Sequence, residues 1–242
     1  MKKVIIVGAT SGLGRGIAET YISRGWQVGI AGRRTALLKE VADHHQNVLY
    51  ETLDVTDTTA SIATLQRLTE RLGGLDLLVL SSGVGRQNAA LDFNLELPTI
   101  ETNVRGWTAI ADWAFSFFVT QGHGHLAAIS SIAAVRGLAP APAYSASKAY
   151  QAHYLEALRQ RALASGRPLY VSDIRPGFVD TPLLANPKQF FWVLPPEKAV
   201  RAIVRAIDAR RATATITRRW ALIAPLMRML PTRLLAKAIV RH

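Results

Sequence analysis

The chain has 242 residues, 49% of them hydrophobic, with no cysteine and a formal net charge of +12. That apolar content supports one substantial core, and the missing cysteines exclude disulfides and thiolate chemistry, as suits a reducing cytoplasm. Lys2 and Lys3 precede an apolar run that gives way to glycine and charge after a few residues, so no signal peptide is read and a cytoplasmic protein is expected.

In chain order, short apolar runs predict strands at residues 4–7, 27–31, 48–53, 76–80, 126–130, 169–174 and 213–217, with longer amphipathic stretches between them. This βαβα rhythm predicts a doubly wound parallel sheet, with one domain over residues 1–242 and no linker or repeat to divide it.

The first strand runs into "GATSGLGRG". Leu13, Ile17, Ala18, Tyr21 and Ile22 recur on one side of the helix that follows. Between strand and helix, Gly8, Gly12 and Gly14 let the backbone turn sharply and approach a ligand, and the helix start offers free N–H groups to an anion. No Gly-Lys-Ser/Thr follows, so a Walker-type loop fits poorly and a dinucleotide pyrophosphate fits better.

The second strand, "QVGIAGRR", ends where an acidic residue would hold an adenosine ribose. Gly32, Arg33 and Arg34 stand there instead, and Arg15 adds charge from the glycine loop. A guanidinium binds a 2′-phosphate that a carboxylate would repel, so NADP(H) is expected over NAD(H).

In "YSASKAYQAH", Tyr144 and Lys148 are four apart and share one helix face. A neighbouring ammonium stabilises a phenolate and lowers its pKa, which suits proton exchange with an alcohol or carbonyl oxygen. Ser131, at the end of strand-like "LAAISS", offers a hydroxyl to the same oxygen. Asn103 in "ETNVRG" is placed to anchor a water chain to Lys148, and "RPGFVDT" at 175–181 supplies a turn to close over a cofactor.

Together these segments resemble the short-chain dehydrogenase/reductase family, the single-domain Rossmann-type oxidoreductases, from residue 3 to about residue 181. The family's glycine motif falls on Gly8, Gly12 and Gly14, its adenine-contacting aspartate on Asp54 in "LDV", and its catalytic tetrad on Asn103, Ser131, Tyr144 and Lys148. The resemblance implies that Tyr144 exchanges the proton and Ser131 steadies the substrate oxygen. Lys148 would hold the nicotinamide ribose and lower the tyrosine pKa, and Asn103 would maintain a water relay. It also implies that Thr181 and the Pro176–Gly177 turn orient the nicotinamide amide, and that Thr10, Leu13, Val55, Ser82, Gly83 and Val179 complete the cofactor site. Two departures stand out. The usual threonine before the first glycine is Val7, and the usual Asn-Asn-Ala-Gly is Leu80, Ser81, Ser82 and Gly83, so support at the cofactor edge is expected to be rearranged.

Residues 182–197, with "LLANPKQFFWVL", fall where the family carries a variable substrate lid; their aromatic content suits an apolar ketone or alcohol, or else Phe190, Phe191 and Trp192 pack on the core or on a partner subunit. Residues 218–242 form a basic amphipathic extension. Pro225, Pro231, Arg228, Arg233 and Lys237 interrupt it, so it is read as lying on an anionic membrane or docking on protein rather than spanning a bilayer. His44, His45, His123 and His125 lack a convergent carboxylate pattern, so no metal is expected. The basic residues come with no nucleic-acid reading motif. The apolar helix around "GWTAIADWAFSFFV" serves as core or interface, and a homodimer or homotetramer is expected. The expected activity is hydride transfer between NADP(H) and a small-molecule ketone or secondary alcohol; the rival is a non-catalytic NADP(H) sensor or membrane-surface protein on the same fold.

Overall fold

The computed structural model describes residues 1–184, 187 and 190–239, the last three by their backbone. Seven strands, β1 (Lys3–Val7), β2 (Gln27–Gly32), β3 (Val48–Thr52), β4 (Leu77–Leu80), β5 (Gly124–Ile129), β6 (Leu169–Arg175) and β7 (Thr213–Thr215), form one sheet. The sheet order is β3-β2-β1-β4-β5-β6-β7, with every neighbouring pair parallel. A parallel sheet is buried on both faces, so its strands are apolar without alternation: β1 is KVIIV and β4 is LLVL.

Helices α1 (Gly12–Ser23), α2 (Thr35–Asp43) and α7 (Pro196–Asp208) cover one face. There Val4 and Ile6 of β1 pack with Ile17, Tyr21 and Ile203. Helices α3 (Thr58–Leu72), α5 (Trp107–Gln121) and α6 (Pro142–Ala164) cover the other, where Ile5 and Val7 meet Leu65, Trp107, Phe118 and Leu155. Successive residues of one strand therefore feed opposite cores. Most of the apolar face of α5 is buried in the second core, while Trp113 and Phe117 are only partly covered.

Before α5 the chain forms α4 (Phe93–Ile100) and then a π-helical turn at Glu101–Gly106. At its end the Trp107 N–H reaches the carbonyls of Thr102 and Val104. Gly106 lets this turn approach the loop after β3, because a β-carbon there would stand 2.1 Å from the Val55 carbonyl oxygen.

The predicted strands are all present, with ends within two residues of expectation. β7 stops at Thr215 because Thr217 turns to φ +82° and caps α8 (Arg218–Met229), its hydroxyl accepting the Trp220 N–H at 3.4 Å. After α8 comes α9 (Thr232–Ile239). Arg241 and the side chain of Lys237 lie outside the described residues, as do residues 185, 186, 188 and 189 of the expected lid. Among the described residues no helix is long and apolar enough to cross a membrane.

Candidate active site

Strand order reverses direction between β1 and β4, so a crevice opens beyond their carboxyl ends. Gly8 leaves β1 there at φ +91°, and a β-carbon on it would stand 2.6 Å from the Ser82 nitrogen. A β-carbon on Gly14 would stand 2.1 Å from the Gly8 carbonyl oxygen. Both glycines are therefore required by backbone packed against backbone. Gly12, at φ +55°, faces Thr181 across the crevice, 3.4 Å from the Thr181 Cβ to a β-carbon built on it. Leu13 packs against the α1-side core, and the Ser82 hydroxyl is buried without a hydrogen-bond partner among the described residues. A bare backbone cradle beside an unsatisfied hydroxyl fits a dinucleotide.

The arginines divide the work. Arg34 lies over the glycine loop, its Nε and Nη2 donating to the Thr10 hydroxyl at 3.1 and 2.6 Å and its Nη2 also to Ser11 at 2.6 Å. Arg33 is exposed beside Asp54, where its charge favours the carboxylate. Burial acts the other way on Asp54, but hydrogen bonds from the Thr56 N–H at 3.0 Å and hydroxyl at 2.8 Å leave its pKa below the usual value. Arg15 differs from expectation: it pairs with Glu19 at 2.8 Å and Glu40 at 3.4 Å, so its charge is shared with α1 and α2.

Ser131 ends the segment after β5, where its hydroxyl caps a short 3-10 turn by accepting the Ala133 N–H at 3.1 Å. Tyr144 and Lys148 share one face of α6, with the ammonium 5.8 Å from the phenol ring centre. Lys148 is buried, and its Nζ donates to the Ile129 carbonyl at 3.1 Å and to Gln151 Oε1 at 3.0 Å. An ammonium has three N–H groups, so one remains for the crevice. Asn103 is fully buried, and its side chain is committed to the loop after β4 and to α6: Oδ1 accepts the Val84 N–H at 2.9 Å, while Nδ2 donates to the Val84 carbonyl at 2.7 Å and to Ser147 of α6 at 3.0 Å. Gly83 sits beside both groups, a β-carbon on it standing 3.4 Å from Lys148 Nζ and 3.5 Å from Asn103 Oδ1.

Burial decides the electrostatics here. It pushes the Tyr144 phenol above its usual pKa, against the Ser131 hydroxyl, which favours the ionised form. Burial also brings Lys148 down to about 8, against the opposing charge of Asp173. The lowering that the Tyr144–Lys148 spacing predicts is thus opposed, because a low-dielectric setting disfavours phenolate and ammonium alike.

The Pro176–Gly177 turn follows β6, with the Pro176 carbonyl accepting the Ile132 N–H at 2.8 Å. Val179 bridges to Leu194, which ties the chain just before the expected lid to its later part. Sequence reasoning did not anticipate that the extension reaches this turn. A β-carbon on Gly177 would stand 2.1 Å from the Trp220 indole nitrogen, and Trp220 packs with Phe178, Phe191 and Trp192 at centroid distances of 5.6–5.7 Å. Arg136 fastens the same helix by donating to the carbonyls of Arg228 and Leu230 at 3.1 and 3.0 Å. Gly85 and Gln151 were also missed. The only signal for Gly85 is its place two residues after Gly83, and nothing in the sequence marks Gln151.

A cavity of about 630 Å³ opens at the opposite end of the sheet, lined among others by Lys2, Asp76, His125 and Asp208, far from these groups. Among the described residues no cluster of His, Asp or Glu is placed to hold a metal ion.

A family model described as short chain dehydrogenase matches residues 2–190, and the chain belongs to that family of oxidoreductase enzymes. An uncharacterized oxidoreductase of Myxococcus xanthus is 35% identical over 249 residues, covering 99% of this chain and 97% of its relative. A short-chain dehydrogenase/reductase from Burkholderia phymatum, solved in complex with NAD, superposes with a TM-score of 0.84 at 22% identity, over 93% of this chain and 92% of that one. A short-chain dehydrogenase from Sphingobium yanoikuyae, solved with NADPH, gives 0.80 at 21% identity, over 94% and 93%.

Proposed function

We propose that this enzyme moves a hydride between NADP(H) and an apolar ketone or secondary alcohol. The carrying observation is that Ser131, Tyr144 and Lys148 converge at the crevice whose floor is the bare glycine loop. The nicotinamide, when bound, supplies or accepts the hydride. In reduction the Tyr144 Oη gives its proton to the substrate oxygen, and in oxidation it takes that proton back. Ser131 donates a hydrogen bond to the same oxygen. Lys148 directs its remaining N–H to the ribose and favours the phenolate. Pro176, Gly177, Val179 and Thr181 frame the amide end, and Asp54 with Val55 frames the adenine end.

One solved relative carries NADPH and the other NAD, so the preference for NADP(H) rests on this chain's own charges. No acid stands at the end of β2, and Arg33 and Arg34 follow it directly. Fluorescence titration with NADPH and NADH tests this, and tighter NADH binding rejects it. A panel of ketones and alcohols followed by NADPH absorbance identifies the substrate. The aromatic wall of Phe178, Phe191, Trp192 and Trp220 beside the Gly177 turn favours apolar members of that panel.

A second reading concerns location: a cytoplasmic homodimer or homotetramer that rests on anionic membrane through α8. Trp220 docks one side of that helix, while Leu222, Leu226 and Met229, on the i, i+4, i+7 positions, are 74%, 63% and 82% exposed. Arg218, Arg219, Arg228 and Arg233 flank them with positive charge. Flotation with phosphatidylglycerol vesicles at low salt tests it, since Leu222→Asp with Leu226→Asp abolishes binding if the stripe inserts. Light scattering reads the oligomeric state.

A further inference from the structure

Gln151 follows Lys148 by three positions on α6 and is fully buried. Its Oε1 accepts from Lys148 Nζ at 3.0 Å, and its Nε2 donates to the Asn103 backbone carbonyl at 2.8 Å. The two partners fix which way the amide points, because an ammonium only donates and a carbonyl only accepts. The Asn103 carbonyl is open to this bond because the helix slips there: the Trp107 N–H turns to Thr102 and Val104 instead. With its side chain committed to Val84 and Ser147, Asn103 offers only that carbonyl toward Lys148.

Between the Asn103 carbonyl and Lys148, the pair for which the sequence predicts a water chain, the Gln151 amide makes a direct bridge. A water can reorient, whereas an amide held at both ends cannot. We propose that Gln151 is the positioning residue of the active site, clamping the Lys148 ammonium against the Ile129 carbonyl and tying it to the π-helical turn through Asn103. This rests on the reading of Tyr144 and Lys148 as the reacting pair. Held on two sides, the ammonium keeps its third N–H aimed into the crevice.

Among the described residues, the groups facing that ammonium are few. Tyr144 lies on its own helix, and Asp173 acts from β6, where it is engaged by Arg175 at 2.6 Å and by Ser130. The π-helical turn contributes neutral Asn103, and the loop after β4 contributes Gly83.

Two variants of nearly the same shape test the clamp: Gln151→Met removes the acceptor, and Gln151→Glu turns it into an anion. The readout is the Lys148 titration by NMR in protein carrying ¹³Cε-labelled lysine, with the resonance assigned from Lys148→Arg, and it needs no substrate. The Met variant is expected to move the Lys148 midpoint down by about one pH unit and the Glu variant up by a similar amount. A Met-variant midpoint that stays where it was would overturn the proposal, since losing a residue that merely fills space leaves it alone; an unmoved midpoint in the Glu variant would overturn it too, by showing that position 151 does not reach the ammonium. If Gln151→Met fails to fold by circular dichroism, Gln151→Leu, which also lacks the acceptor, is read in its place. The catalytic reading fails separately, through undiminished turnover in Tyr144→Phe, an outcome that leaves the lysine titration intact.

Discussion

The backbone of Gly85 lies against the ring of Tyr144: a β-carbon built on Gly85 would stand 2.3 Å from Cδ2 and 2.8 Å from Cγ of the phenol. The loop after β4 therefore sets where that ring rests. Gly85→Ala is expected to push the phenol off its line to the substrate and lower kcat by about a hundredfold, because near-ångström misplacement of a reacting group costs about that much. NADPH affinity, read by fluorescence, should stay within about twofold. Undiminished kcat would mean that the ring has room to retreat without consequence.

Tyr144→Phe removes the proposed proton donor while keeping the ring. Turnover on a ketone found in the substrate panel is expected to fall by roughly 10²–10⁴-fold, the usual contribution of a positioned acid or base. Steady-state kinetics beside an NADPH titration separates this from lost binding, which should be unaffected.

Arg34 touches Thr10 and Ser11 with its guanidinium, so its removal unties the glycine loop and takes away the charge beside it. Loosening the loop weakens NADPH and NADH alike; removing the charge weakens only the phosphorylated form. The ratio of the two dissociation constants isolates the second effect, and Arg34→Ala should move it about tenfold toward NADH. A ratio equal to that of the unaltered protein would leave Arg34 with the loop alone.

His125 in β5 is buried, with its Nε2 2.8 Å from the Ser172 hydroxyl, and burial, helped by Arg210, brings its pKa from 6.5 down to about 4. Between those values the unfolded chain binds a proton that the folded one does not, so unfolding free energy rises with pH across the window. The contribution is fully present above pH 6.5 and is lost as pH falls toward 4, amounting to about 3 kcal/mol. Urea denaturation of His125→Gln at pH 4.5 and pH 7 should show a smaller difference than the unaltered chain.

The sheet was legible because strands buried on both faces must be apolar throughout and their alternation with helices makes it parallel; the order β3-β2-β1-β4-β5-β6-β7 was not, because that alternation is shared by several orders. The placement of Tyr144, Lys148 and the glycines was legible because it depends on spacing along one segment. What escaped depends on contacts between distant segments. Gln151 is one polar residue among several on a long helix until Asn103 is brought beneath it. Trp220 is one aromatic residue in a basic extension until it lies on Gly177. The division between Arg33 and Arg34 turns on which of two adjacent side chains faces the loop, and Arg15 is drawn off by Glu40 from the next helix.

The π-helical turn at Glu101–Gly106 amounts to one residue more than an ordinary helical turn accommodates. Excising a single residue there would restore 3.6 per turn and swing the upstream helix through about 100° relative to α5. Asn103 would then lose Val84 on one side and Gln151 on the other in the same motion. The proposed active site thus depends on a residue count as well as on residue identities, and a shortened chain that conserved every named side chain would still dismantle it.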